Sequence, residues 1–398
     1  MIHIAGYEPG TNPPFLNDLL QKSSLIFIAE RFRDSLAAFK EKLRPLVPLK
    51  GMFQEIRQAP SGADILVLTS GDPLFFGIGR TFLKEFPSDI LKFYPGITTV
   101  QKACAHFKMP WDDMDFVSLH GKGSSNFGAL VEKILKRNQY KVAVFTDSKN
   151  SPDVIAKKLL EDGLENARFL VAQDIGGPNE KYTSLLPEEA ASETFHPLNL
   201  LIITGSHRRP NYRFGLCEDE FAHEQGLITK AEVRSVILSL LEVPQGNVFW
   251  DIGAGSGSVS IEASLLAPGL SIFAVEKDAR RCQHLKVNKK RFMALNMKVV
   301  HDTAPRCLPA LPQPDRIFIG GGLLTDGLLE TCWDLLTDGG IMVASTILLE
   351  SEHQLLAFTQ KKGIRFHFTR VSSCRGKSLG SGHYLAPGPA ITIWKLCK

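Results

Sequence analysis

The chain has 398 residues, 44% hydrophobic and 22% charged, with a formal net charge of +4. This is too long for one ordinary domain, and the composition suits globular domains with apolar cores, not a disordered chain. No dense Lys/Arg block suggests nucleic acid, no apolar run of about 18 residues marks a membrane helix, and seven scattered cysteines without a CxxC pair argue against a zinc ribbon or disulfide framework. The start MIHIAGYEPG lacks a basic segment followed by an apolar run, so no signal peptide is expected. A cytoplasmic protein with reduced cysteines and no nucleic-acid or membrane partner is expected.

In chain order, an apolar strand at 2–5 runs into Gly6 and a helix is predicted over 13–22. Strands follow at 25–29, 65–69, 115–119, 142–146, 168–172 and 199–203, with helical spacing between them, as at 153–161. Such alternation predicts an α/β domain with a largely parallel sheet whose strands are buried on both faces. The polar stretch 205–225 reads as a connection between a domain at 1–204 and a second at 226–398.

The second series opens with 229-TKAE-232, the pattern of a capping box with Thr229 as cap. Val233, Val236, Ile237, Leu240 and Leu241 then form an apolar helical stripe. Strands are predicted at 248–252, 271–276, 297–301, 316–321 and 340–345, and helices at 258–267, 279–291 and 326–336. The last segments, 364–371 and 389–396, are expected to pair antiparallel at the sheet edge.

The stretch 250-WDIGAGSGSVSIEA-263 is a strand, a glycine loop and a helix start. Gly253, Gly255 and Gly257 allow a tight turn and close ligand approach. Ser258 stands where a dinucleotide fingerprint has its last glycine, so the loop suits S-adenosylmethionine better than NAD; an NAD-dependent oxidoreductase is the rival reading. Asp251 is tolerable beside a sulfonium and awkward beside a pyrophosphate. Glu276, ending the next strand, is placed for ribose hydroxyls, and Asp302, after the third, for the adenine.

In the first half, Gly6, Pro9 and Gly10 follow the first strand, 70-SGDPLFFGIG-79 follows another, and 94-YPGITTVQKA-103 runs into a helix. These loops lie at carboxyl ends of predicted strands, where α/β sheets place ligands. His120 is a further strand-end residue. No HExxH or clustered histidine spacing calls for a protein-bound metal.

The stretches 5-AGYEPG-10, 70-SGDPLFFGIG-79, 95-PGITTVQKA-103, 110-PWDD-113, 118-SLHGKG-123 and 173-QDIGGPNE-180 resemble the tetrapyrrole methylase family, most closely members acting at ring carbon C5 in corrin synthesis. From about residue 213, 223-HEQGLITKAEVR-234, the 250–263 loop, 302-DTAP-305 and 315-DRIFIGGG-322 resemble the class I methyltransferases that act at C15 and remove the C12 acetate carboxyl. The resemblance implies a two-lobed tetrapyrrole-methylase fold joined to a Rossmann-like methyltransferase, with S-adenosylmethionine bound at two sites per chain. It implies that Gly6, Pro9, Gly10, Gly71, Asp72, Pro73, Thr98 and Thr99 line the first donor cleft. Asp251, Gly253, Gly255, Gly257, Glu276 and Asp302 would bind the second donor, with Gly320, Gly321 and Gly322 between donor and substrate.

The implied substrate is a flat polyanionic tetrapyrrole, with or without cobalt. Arg208, Arg209, Arg213, Arg375 and Lys377 are candidate carboxylate partners. His301, His383 and Tyr384 are candidate proton donors for the decarboxylating half. The resemblance also implies a homo-oligomer.

Overall fold

The computed structural model describes residues 1–11, 13–119, 127–207, 215–224, 226–243 and 247–398. His120, Arg208, Arg209 and Arg213 lie outside the described residues.

The first lobe is a five-stranded parallel sheet of β1 (Ile2–Gly6), β2 (Leu25–Ile28), β3 (Leu43–Pro45), β4 (Ile65–Thr69) and β5 (Leu91–Tyr94). Their order is β3–β2–β4–β1–β5. β4 reads ILVLT and is buried throughout, because helices cover both faces of a parallel sheet. These are α1 (Pro14–Lys22), α2 (Leu49–Gln58) and α3 (Gly79–Glu85). The ten residues after β2, Glu30–Phe39, form a kinked 3-10 segment.

The second lobe holds α4 (Thr99–His106), β6 (Asp115–Ser118), α5 (Phe127–Lys136), β7 (Gln139–Phe145), α6 (Pro152–Glu161), β8 (Ala167–Gln173), β9 (Lys181–Leu185), α7 (Pro187–Ser192) and β10 (Asn199–Ser206). Its sheet order is β6–β7–β10–β8–β9. Only β6 and β7 pair in parallel; β10 runs antiparallel to both β7 and β8. The largely parallel sheet predicted for the whole first half therefore holds for the first lobe alone. Apolar runs such as 168–172 report burial on both faces, not strand direction.

The C-terminal half opens with α8 (Ala231–Leu241), then β11 (Val248–Ile252), α9 (Ser258–Leu266), β12 (Ser271–Glu276), α10 (Ala279–Arg291), β13 (Met297–His301), β14 (Arg316–Ile319), α11 (Leu328–Leu335), β15 (Ile341–Thr346), α12 (Leu349–Lys362), β16 (Arg365–Val371), β17 (Cys374–Leu379), β18 (Gly382–Pro387) and β19 (Ile391–Cys397). Seven strands form one sheet, β13–β12–β11–β14–β15–β19–β16. β19 lies antiparallel between β15 and β16, so the two last segments do pair at the edge. β17 and β18 form a separate exposed hairpin.

The start of α8 differs from the sequence pattern. Lys230 occupies the cap position without a side-chain cap bond, and Thr229 instead offers its carbonyl to Arg234. Arg234 is fully buried on the helix face, beside Val233, Ile237, Leu238 and Leu241. Its Nε donates to Glu262 of α9 at 2.8 Å. Glu262 in turn accepts the backbone N–H of Leu216 at 2.9 Å and of Gly215 at 3.2 Å. One buried charge pair thus ties residues 215–216 and 229 to the helix after the glycine loop.

The two halves touch where α6 ends and α10 turns into β13. Lys289 meets Asp162 at 2.8 Å and Lys290 meets Glu165 at 2.7 Å. Leu295 joins the apolar cluster of the second lobe.

Candidate functional site

Two clefts open at carboxyl ends of parallel strands. The first has a volume of about 610 Å³ and lies between the lobes of the N-terminal half. The loops after β1, β4 and β5 close on one another there. A Cβ on Gly6 would stand 2.5 Å from both the Gly71 carbonyl oxygen and the Gly96 Cα. A Cβ on Gly96 would stand 2.7 Å from the same carbonyl oxygen and from the Gly6 Cα. These glycines are required by loop packed against loop, and Gly71 also has a φ of +72°.

Gly6, Pro9, Gly71 and Thr99 line this cleft. Gly10, Asp72, Pro73 and Thr98 are not part of its wall and lie in the loops that build it. The Asp72 carboxylate accepts the Leu74 N–H at 2.8 Å. The Pro73 carbonyl accepts the Gly79 N–H at 2.8 Å. Thr98 caps α4: its hydroxyl accepts the Gln101 N–H at 3.1 Å while Gln101 accepts the Thr98 N–H at 2.8 Å. Arg31, Gly96 and Lys102 also line the cleft and were not singled out in the sequence. Lys102 sits within the quoted 95–103 stretch, and its Nζ lies 2.5 Å from Glu8 Oε1.

The second cleft, about 680 Å³, lies over the C-terminal ends of β11, β14 and β15. Asp251, Gly253, Gly255, Gly320, Gly321 and Gly322 line it. Gly253 again serves a loop-to-loop approach, since its Cβ would come 3.0 Å from the Gly321 nitrogen. Gly255 has open space where a Cβ would stand. Gly257 is not part of the wall: its Cβ would meet Leu285 at 3.0 Å, so it lets α9 start close to α10.

Asp251 is buried, and Oδ2 accepts the Ser260 hydroxyl at 2.6 Å. Its Oδ1 is buried without a hydrogen-bond partner. Loss of solvation pushes its pKa up to about 7, against the Ser260 bond, which lowers it. Glu276 is also buried, and its carboxylate accepts the Gly255 N–H at 2.9 Å and the Asp278 N–H at 3.0 Å. It braces the glycine loop from behind and is not part of the cleft wall. Asp302 lies beyond the wall, accepting the Thr303 N–H at 2.7 Å and pairing with Arg306 at 2.5 Å, which holds its carboxyl below the usual range.

Arg375 and Lys377 line the cleft, but Arg375 is already engaged. Its guanidinium reaches Glu218 at 2.7 and 3.0 Å and Glu232 at 2.7 Å. The bond from Arg375 lowers the Glu218 pKa to about 2. Arg375 thus fastens the β17–β18 hairpin to the connection and to α8, rather than standing free for a ligand. Lys230 and Arg281 are wall cations that were not predicted. The three expected proton donors stand outside the wall: His301 has its Nε2 3.2 Å from the Lys277 carbonyl, and His383 and Tyr384 sit on the exposed hairpin.

Among the described residues, no group of three or more His, Cys, Asp or Glu is placed to hold a metal, and no helix is long and apolar enough to cross a membrane.

Two α/β halves, each with glycine loops meeting at strand ends, define an α/β protein with two clefts. Residues 4–190 match the family model for tetrapyrrole (corrin/porphyrin) methylases, and residues 219–398 match that for a precorrin methyltransferase domain. The precorrin-6Y C(5,15)-methyltransferase [decarboxylating] of Sinorhizobium sp is 32% identical over 358 residues, covering 89% of this chain and 84% of that protein. A probable cobalt-precorrin-6B C(15)-methyltransferase (decarboxylating) from Pyrobaculum aerophilum is 34% identical over 177 residues, 44% of this chain and 90% of its own. The crystal structure of precorrin-6Y C5,15-methyltransferase from Geobacter metallireducens GS-15 matches with a TM-score of 0.45 and 35% identity, covering 48% of this chain and all of that one. The chain belongs to the precorrin-6Y C(5,15)-methyltransferase (decarboxylating) family.

Proposed function

We propose that the chain methylates a precorrin at C5 in its N-terminal half and at C15 in its C-terminal half, where the C12 acetate loses carbon dioxide. Each half would use its own S-adenosylmethionine. The observation that carries this reading is the pair of separate clefts, each at strand ends and each built by glycine loops in contact.

The second cleft suits the methyl donor. The orphaned Asp251 Oδ1 supplies an acceptor for the donor's ammonium, and the open side of Gly255 leaves room beside the loop. When bound, the donor supplies an electrophilic methyl on a sulfonium. Leu227, Ile228, Val259, Phe318 and Leu323 make much of the wall apolar, which excludes water from the reacting carbons. Lys230, Arg281 and Lys377 give the rim positive charge for a polyanionic macrocycle. The conjugated macrocycle supplies the electrons for methylation at carbon and takes up the pair left when the acetate carboxylate departs as carbon dioxide, that carbon then gaining a proton from solvent, so the protein's main task is alignment.

The test is incubation of the full chain with S-adenosylmethionine and the metal-free precorrin, followed by product mass. A gain of two methyl groups with loss of one carbon dioxide is expected. A product with neither change would overturn the reading. A second reading, a cobalt-containing substrate, is favoured by the likeness of the C-terminal half to the Pyrobaculum protein. Turnover of the cobalt-loaded substrate alone would select it.

A further inference from the structure

Two cationic side chains line the N-terminal cleft among the described residues, Arg31 and Lys102. Lys102 is neutralised by Glu8 at 2.5 Å, on the loop that follows β1. Arg31 has no such partner: no carboxylate of the described residues comes within ion-pair distance of its guanidinium. It is the second residue of the 3-10 segment after β2, with its guanidinium carbon 4.5 Å from the centre of the Phe32 ring. Phe32 is itself fixed, packing edge-on against Tyr7 at 6.0 Å. The guanidinium is therefore backed by an aromatic face while the side chain stays exposed in the cleft wall. Burial lowers its pKa from the ordinary value, and the longer-range attraction of Asp174 opposes that only in part. Asp174 already accepts the Asn179 N–H at 3.0 Å, so it is committed to its own turn.

A guanidinium offers five donors in a planar fork, matched to a carboxylate. Cation–π support holds such a fork in place without using its N–H groups. We propose that Arg31 is a specificity-determining residue of the N-terminal cleft, binding one acetate or propionate carboxylate of the tetrapyrrole so that C5 faces the donor. This rests on the proposed function above. The Glu8–Lys102 pair sharpens the assignment, because it removes the competing cation and leaves one anchor point for the macrocycle.

The test uses the full chain and the variants Arg31→Ala and Arg31→Lys, each checked for an unchanged melting profile. A charge-assisted bond of about 1.5–3 kcal/mol corresponds to roughly 10- to 150-fold. In Arg31→Ala the KM for tetrapyrrole in the C5 step should rise by at least about tenfold, with a smaller change in kcat. The affinity for S-adenosylmethionine and the C15 step should stay within about twofold. Arg31→Lys should recover part of the loss, since it restores charge without the fork. Binding of a metal-free octacarboxylic porphyrin, read by fluorescence without turnover, should weaken in parallel. An unchanged KM and unchanged porphyrin binding would overturn the proposal. So would lost donor affinity with normal tetrapyrrole KM, which would assign Arg31 to the donor's own carboxylate. If the unaltered chain methylates nothing, the proposed function fails, and the porphyrin titration still decides whether Arg31 binds carboxylates.

Discussion

The two halves reach the same local solution from different folds. In the N-terminal half, Gly6 and Gly96 interlock with the Gly71 carbonyl; in the C-terminal half, Gly253 lies against Gly321. Both clefts thus have walls made of bare backbone where loops from separate strands converge. The electrostatics differ. The first cleft has its acid Glu8 paired with Lys102 and leaves Arg31 free, while the second keeps an unpartnered carboxylate oxygen on Asp251 and several wall cations. The contrast shows that a glycine in such a loop reports close backbone approach first; the lone polar groups beside it are where the proposed ligand chemistry falls.

The largest break in the comparison should come from Gly6→Ala. The new Cβ would stand 2.5 Å from rigid backbone, so the loops must separate. A displacement near 1 Å at a reacting centre can cost about 100-fold. C5 methylation should fall by about that factor while C15 methylation persists, as read from the two product masses.

Arg234→Ala strikes the other half through its frame. It would leave Glu262 buried and unpaired, and breaking a buried pair from one side costs about 3–5 kcal/mol. Denaturant unfolding should show that loss, with the C15 reaction failing before the C5 reaction.

Gly253→Ala should be milder than Gly6→Ala, because its nearest contact is 3.0 Å, though its φ of +71° adds strain. Left-handed backbone costs about 1–2 kcal/mol for a residue with a Cβ, which predicts roughly a tenfold weaker donor affinity in the second cleft alone.

Asp251 makes the comparison pH-dependent. Its pKa of about 7 in the free protein means that it is mostly protonated below that value and ionised above it. A cationic ammonium favours the ionised form, so donor affinity at the second cleft should rise as pH increases through about 7 and level off above it. In the unliganded domain the sign is opposite. A carboxyl whose folded pKa is raised loses stability as pH rises from about 4, the unfolded value, to about 7. Asp251→Asn should remove the stability dependence, measured by melting across pH, and abolish detectable donor binding at the second cleft at every pH.

The smallest effect expected is local. Arg375→Ala should loosen the β17–β18 hairpin and speed amide exchange over 374–387, with little change in global stability, because the arginine is about 44% exposed.

Much of this was legible in the sequence. Most C-terminal strands and helices followed from apolar spacing and from glycine after β11, but α12 and the β17–β18 hairpin were not read. The antiparallel half of the second lobe was not, because a fully buried strand has the same apolar run in either direction. The loops that build both clefts were found by their glycines, yet several residues within them turned inward to hold the loops: Asp72, Thr98, Gly257 and Glu276. Arg375 read as a free rim cation because its partners, Glu218 and Glu232, lie some 140–160 positions away in sequence. Arg31 gave no signal at all, since one arginine after a strand looks like any surface charge until the fold puts it in a cleft.

The central claim is two independent donor sites in one chain. Calorimetric titration of the full chain with S-adenosylhomocysteine, which binds without turnover, tests it most directly. The account predicts two molecules bound per chain, falling to one in Asp251→Asn and, separately, to one in Gly6→Ala. One molecule per unaltered chain would contradict it.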